Sequence, residues 1–369
     1  MKKNSIPPQS PKRRRAKAAP LIIGIDLGDR TSRYCVLGQD GEVLAEGSVA
    51  TTRKGLIEKL AGLDRCRIAI EVGTHSPWID RLLRGLGHDV IVANARQVQL
   101  ISASSRKNDR VDARTLAKLA RVDRELLRPI RHRSESAQQD LMRIRARAAL
   151  VEARTSLVNA ARGLVKPMGE RLPNCDADNL GPEKLEGMPE QLRETLTPML
   201  EQIASLTAAI QASEKSLEQI AETRYRETEL LRQVYGVGPL IALTYVLTIE
   251  DPHRFRKSRD VGAYVGLRPK QSDSGESHPQ LPITKEGDQY LRTMLVQGAH
   301  RVLSRLSPDT DLKRWGLELA GNGGKNAKKR AVVAVARKLA VLLHRLWVSG
   351  EVYEPLRNRK AKARGKAAA

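Results

Sequence analysis

The stretch Leu21-Ile22-Ile23-Gly24-Ile25-Asp26-Leu27-Gly28 constrains this chain more than any other. Aliphatic residues on both alternating faces read as a strand buried between two layers, where a charged side chain is costly unless it is paired or coordinates a metal. Asp26 therefore needs partners. Three later carboxylates, Glu71, Asp109 and Asp112, fall where a folded chain can return to it, and the four together read as a metal site. Their hard oxygen donors suit Mg2+ or Mn2+.

The order of elements supports that return. Strands are expected at 21–27, 33–37 and up to about 49, with a hairpin signal at Asp40-Gly41 between the second and third. A helix at about 52–63, a strand at 66–71, a helix at 77–86 and a strand at 89–93 follow. Three antiparallel strands and then crossover units is the order of a ribonuclease H-like fold, in which the first and fourth strands are neighbours. Asp26 and Glu71 would then meet at one edge of the sheet. Asp109-Arg110-Val111-Asp112-Ala113-Arg114 opens the next helix, and acids three apart share a helix face. Two acids in a first turn also suit the helix dipole, which is the plain reading of that pair taken alone.

Charge points to the partner. The net charge is +23, and more than half of it lies in residues 1–20 and 357–369, which hold seven and six Lys/Arg and no acid. The body is still basic, so a polyanion is expected. No apolar run reaches the roughly 20 residues of a membrane span, which favours nucleic acid over lipid. Three scattered cysteines, the lack of a Cys-x-x-Cys pair and a basic start without a signal-peptide core fit the cytoplasm, near the nucleoid. With 3 % aromatic residues and a single Phe, Phe255, the cores must be aliphatic.

Beyond the first domain the pattern turns helical. Residues 134–165 read as one helix bearing Arg143, Arg145, Arg147, Arg154 and Arg162, and 172–198 as a connecting excursion rich in proline. A second long helix is expected from about Met199 to Ala221. Its seam is Ile203, Leu206, Ile210, Leu217 and Ile220, with Ser213 in one slot, as in a coiled coil. A spacer and a dimerising arm are both consistent with this pair. Gly236-Val237-Gly238-Pro239 resembles a helix-hairpin-helix turn, whose backbone N–H groups can hold phosphate. Further phosphate contacts are expected from Arg268, Lys285, Arg292, Lys325, Lys328 and Lys329. The division is thus a basic tail (1–20), an α/β domain (21–130), a helical coiled-coil linker (131–225), a mostly α C-terminal domain (226–350) and a basic tail (351–369).

Taken together, Gly24-Ile25-Asp26, Ile70-Glu71-Val72-Gly73-Thr74, Asp109-Arg110-Val111-Asp112-Ala113-Arg114, Gly236-Val237-Gly238, Gly266-Leu267-Arg268-Pro269 and Ser274-Gly275 resemble the DEDD insertion-sequence transposases of the insertion sequence one-ten family. The resemblance implies a RuvC-like N-terminal domain with the tetrad Asp26, Glu71, Asp109 and Asp112. It also implies a serine nucleophile, here Ser274, in the C-terminal transposase domain. Donor and target DNA, a structured guide RNA and a homo-oligomer, dimer or tetramer, are the implied partners. His75, where an aromatic is expected, and His278-Pro279 after the serine depart from the family pattern. Three rivals remain at this level: a metal-dependent Holliday-junction-type nuclease without a covalent intermediate, an actin-like ATPase, and a non-catalytic nucleic-acid-binding protein.

Overall fold

The computed structural model describes residues 21–94, 109–277, 279, 281–321, 324 and 326–357, and only the backbone of Asp109. Two compact units divide the chain, residues 1–133 and 134–369.

The first unit is built on a five-stranded mixed sheet, β1 (Ile22–Asp26), β2 (Thr31–Leu37), β3 (Val43–Ala50), β4 (Arg67–Glu71) and β5 (Asp89–Ala93), in the order β3-β2-β1-β4-β5. Strands β1, β2 and β3 pair antiparallel, and β1, β4 and β5 pair parallel, so the first and fourth strands are neighbours. Side chains alternate across a strand, and the two faces are covered differently. Ile23, Ile25, Ile68, Ile70, Val90 and Val92 pack with α1 (Arg53–Leu60) and α2 (Ser76–Gly85). The other face, with Ile22, Ala69, Ile91 and Ala93, packs with α3 (Asp109–Val122) through Ala113, Leu116, Ala117 and Ala120. Thr52 caps α1 by accepting from the Gly55 N–H.

Gly24 sets how close α3 comes. A Cβ there would lie 2.1 Å from the Ala113 carbonyl oxygen and 2.5 Å from the Ala117 nitrogen. Only a residue without a side chain allows that backbone contact.

The second unit begins with α4 (Glu135–Leu164) and α5 (Glu190–Arg224), which run antiparallel, as the pairings Arg147–Glu214 and Arg154–Thr207 show. Helix α5 starts nine residues earlier than the proline pattern suggested and continues through Pro198. A mid-helix proline removes a hydrogen bond and costs about 3 kcal/mol. Burial of Leu196, Leu200 and Ile203 against Val158 and Ala161 of α4 and against Val165, just past its end, outweighs that cost. The seam is also displaced by one residue: Thr207 is buried in place of Leu206, its hydroxyl bonded to the Ile203 carbonyl, Ala221 is more deeply buried than Ile220, and exposed Glu214, next to half-buried Ser213, pairs with Arg147 of α4.

Short α6 (Glu227–Arg232), α7 (Pro239–Ile249), α8 (Asp260–Tyr264), α9 (Gln289–Val302), α10 (Asp311–Gly321) and α11 (Ala327–Ser349) complete the unit around an aliphatic core. At its centre Tyr245 is fully buried and donates its hydroxyl to the Ala340 carbonyl at 2.8 Å. No helix among the described residues is long and apolar enough to cross a membrane.

Candidate functional site

The residues expected to carry chemistry fall in two sets, one in each unit. In the first, Ile25 is in register with Ile70, so Asp26 and Glu71 follow side by side at the C-terminal ends of β1 and β4. Neighbouring strands are about 4.8 Å apart. Both acids have the parity of Gly24 and Ala69 and so lie on the face that α3 covers. The first turn of α3 supplies Asp112, which is 9 % exposed and has no ion-pair or hydrogen-bond partner among the described residues. Asp109 opens the same helix, with its side chain outside the described residues. Asp26 and Glu71 each engage another group, and among the described residues no three His, Cys, Asp or Glu side chains converge enough to hold a cation as they stand. The donor set, carboxylates alone with one buried, nonetheless suits a hard divalent ion.

One acid of this region carried no sequence signal. Glu46 on β3 has a side chain only 10 % exposed, held between two arginines of α3. Arg110 reaches its Oε2 at 2.5 Å and Arg114 its Oε1 at 2.7 Å. Burial alone would push the carboxyl upward, but the hydrogen bonds from Arg114 and Arg110 prevail and hold it below the usual range. Burial, with Glu46 alongside, pushes the neighbouring Cys35 thiol up. At the rim, the Trp78 indole N–H donates to His75 Nδ1 at 3.2 Å, leaving Nε2–H to face Asp29 at 3.0 Å.

In the second unit, described residues on either side of Ser274, from Gly266 out and back to Lys285, pair as a ribbon. Lys285 N–H donates to the Gly266 carbonyl, Thr284 N–H to Arg268 and Lys270 N–H to Pro282. At the far end Ser274 and Ser277 exchange backbone hydrogen bonds of 3.2 and 3.0 Å, with Gly275 at φ +56° in the two-residue turn. Ser274 is thus exposed at the tip. The base is tight: a Cβ on Gly266 would lie 2.1 Å from the Glu286 carbonyl oxygen. Arg292 Nη1 donates to the Val265 and Glu286 carbonyls at 3.0 and 2.8 Å, bracing the base where a phosphate contact was expected. Asp288 caps α9 by accepting from the Leu291 N–H, and its other oxygen takes a 2.8 Å bond from Arg145.

The remaining basic candidates separate. Arg268 is engaged with Gln271, whereas Lys285, Lys328 and Lys329 are exposed. Lys325 lies outside the described residues. Gly236 packs against the Gly298 carbonyl, and Gly238 precedes Pro239 at the start of α7. The arginines of α4 are engaged within the unit: Arg143 with buried Asp140, which Arg224 of α5 also holds, Arg145 with Asp288, Arg147 with Glu214, Arg154 with Asp178, and Arg162 with the Cys175 carbonyl. They fasten the hairpin and the ribbon base.

Residues 23–168 match a family model for DEDD transposases of the IS110 type, and residues 228–313 match one described as Transposase IS116/IS110/IS902 family. The chain is 29 % identical over 357 residues to the transposase for insertion sequence element IS1111A of Coxiella burnetii, covering 93 % of each protein. It is 27 % identical over 337 residues to the transposase for insertion sequence element IS1328 of Yersinia enterocolitica, covering 90 % of this chain and 98 % of that one.

Proposed function

The chain belongs to the IS110 family of transposases, and from that premise we propose that it cuts and rejoins DNA through Ser274, with Asp26, Glu71, Asp109 and Asp112 holding Mg2+ or Mn2+ in a ribonuclease H-like domain. The observation that carries the reading is the shared face: β1 and β4 end in adjacent acids beneath the first turn of α3, where Asp112 is buried. A cation held among such acids would offset their mutual repulsion. A bound divalent ion would supply positive charge to a scissile phosphate.

Ser274 supplies the nucleophile in this reading. Its Oγ forms a bond to phosphorus and gives up its proton, while the phosphorus–oxygen bond to the DNA strand breaks and the released oxygen becomes a hydroxyl. The ester conserves the bond, so attack by another strand's hydroxyl rejoins DNA without ATP. Gly275 and the exposed tip leave room for a phosphate to approach. Two cuts need two serines, hence at least a dimer.

A structured RNA guide completes the proposal. Lys328 and Lys329 stand in the first turn of α11, where their charge opposes the helix dipole and an incoming phosphate relieves the repulsion. RNA that co-purifies with the protein should be a defined structured species, and sequencing it tests the guide.

The decisive experiment traps the protein on a nicked suicide substrate, denatures it and maps the modified peptide. Ser274→Ala should bind DNA without forming an adduct, Ser277→Ala should still form it, and Asp26→Asn should neither cut nor link. Cleavage by Ser274→Ala at the wild-type rate would return the chemistry to a metal-activated water, as in a junction nuclease.

A further inference from the structure

We propose that Glu46 is a positioning residue that fixes the roll of α3 and thereby sets where Asp109 and Asp112 stand; the inference rests on reading those acids as metal ligands. The helix repeat is about 100° per residue, so residues two apart lie about 200° around the axis. Arg110 and Arg114 therefore flank α3 on the side opposite Asp112. Between the two flanks, Ala113 and Ala117 face Gly24 of the sheet. Glu46 seizes both arginines from β3, with each of its two oxygens taking one guanidinium.

Ala113 and Ala117 against Gly24, with buried Leu116 and Leu119, give α3 an apolar seat, and apolar contact is non-directional, so it does little to stop the helix turning about its own axis. The Glu46 fork supplies that stop. A roll of about 20° carries a group about 6 Å from the axis through about 2 Å. Metal sites require ligand distances within about 0.2 Å, so a roll too small to unfold the domain is large enough to dismantle the site. The pin is also built for rigidity. A carboxylate shared between planar guanidiniums has defined directions as well as charge, and the carboxylate side of the pin is 10 % exposed, while Arg110 and Arg114 are 68 % and 40 % exposed.

Mn2+ binding by the full-length protein, followed by electron paramagnetic resonance, tests this without relying on DNA cleavage. Wild type should bind and Asp26→Asn should not. Failure of the wild type would overturn the metal reading itself rather than the role of Glu46. Glu46→Gln should retain cooperative melting yet bind Mn2+ at least about tenfold more weakly, the usual scale for groups that orient ligands. A triple variant that also carries Arg110→Gln and Arg114→Gln removes the unbalanced charge and should stay weak, because the pin is still missing. Arg110→Lys, which keeps the charge but loses the fork, provides the same measurement should Glu46→Gln fail to fold, and should bind several-fold more weakly. Wild-type affinity in Glu46→Gln, or in Arg110→Lys, would overturn the proposal. Restored affinity in the triple variant would overturn it too, by reducing Glu46 to a counter-charge.

Discussion

Substituting Gly24 by alanine tests whether close backbone contact between β1 and α3 organises the first unit. The added methyl would stand 2.1 Å from the Ala113 oxygen and 2.5 Å from the Ala117 nitrogen, against an ordinary contact of 3.4 Å or more. Both opposing atoms are backbone, so neither can rotate away. Helix α3 must retreat by more than about 1 Å, and gaps of that size forfeit a quarter to a half of each dispersion contact. The losses fall on Ala113, Leu116, Ala117 and Ala120 against Ile22, Ala69 and Ile91. Overpacking of this kind costs about 1–3 kcal/mol, and the rigid backbone places Gly24→Ala near about 3 kcal/mol. For a unit of this size that lowers the melting temperature by on the order of 10 °C. Hydrogen exchange read by mass spectrometry localises the effect: peptides spanning 109–122 should exchange faster, while those of α4 and α5 are unchanged. A melting temperature within a degree of wild type, with unaltered exchange over α3, would refute the reasoning.

Asp288→Ala removes both the cap of α9 and the partner of Arg145, and should cost about 1–2 kcal/mol of thermal stability with faster exchange around 285–292. Arg147→Met should lower the melting temperature and leave the salt dependence of nucleic-acid binding unchanged, because Glu214 already engages that arginine. Lys328→Gln with Lys329→Gln should instead reduce the salt slope by up to about 2 while leaving the melt alone. Burial and the bond to Asp140 push the Tyr225 hydroxyl up to about 12 from 10.0. The folded chain then keeps a proton that the unfolded chain releases, so this contribution to stability falls as pH rises from 10 toward 12. The difference in urea midpoint between wild type and Tyr225→Phe should shrink over that interval; a constant difference would refute the assignment.

Much of the first unit was legible because its signals are local or periodic. Strand β5 occupies the residues expected of it, β4 begins one residue later and β1 is trimmed at both ends, since continuous apolar runs bounded by turns have few other solutions. The adjacency of β1 and β4 followed from element order. Glu46 was not legible: an acid in a half-exposed edge strand looks solvated, and its partners lie sixty-four and sixty-eight residues away. The ribbon around Ser274 carries no local signal for a related reason, because its ladder joins short irregular segments whose pairing depends on Gly266 approaching Glu286. Pro198 misplaced the start of α5 because propensity is local, whereas the burial of Leu196 and Leu200 is tertiary. On α4, Arg145, Arg147 and Arg154 pair with acids 143, 67 and 24 residues away, partners that no local pattern shows.

The ribbon has a mechanical consequence. Ser274 stands eight residues from Gly266, a reach of at most about 26 Å at 3.3 Å per residue, and the bracing by Arg292 is confined to the foot. A tilt of about 5° there would sweep the hydroxyl through about 2 Å, comparable to the margin between a reactive and an idle approach. Under the role proposed for Ser274, a nucleophile held from below is aimed by whatever surface receives its tip. It would stay chemically quiet on the lone chain and act on DNA only where it is docked, a safeguard for an enzyme that must rejoin what it cuts.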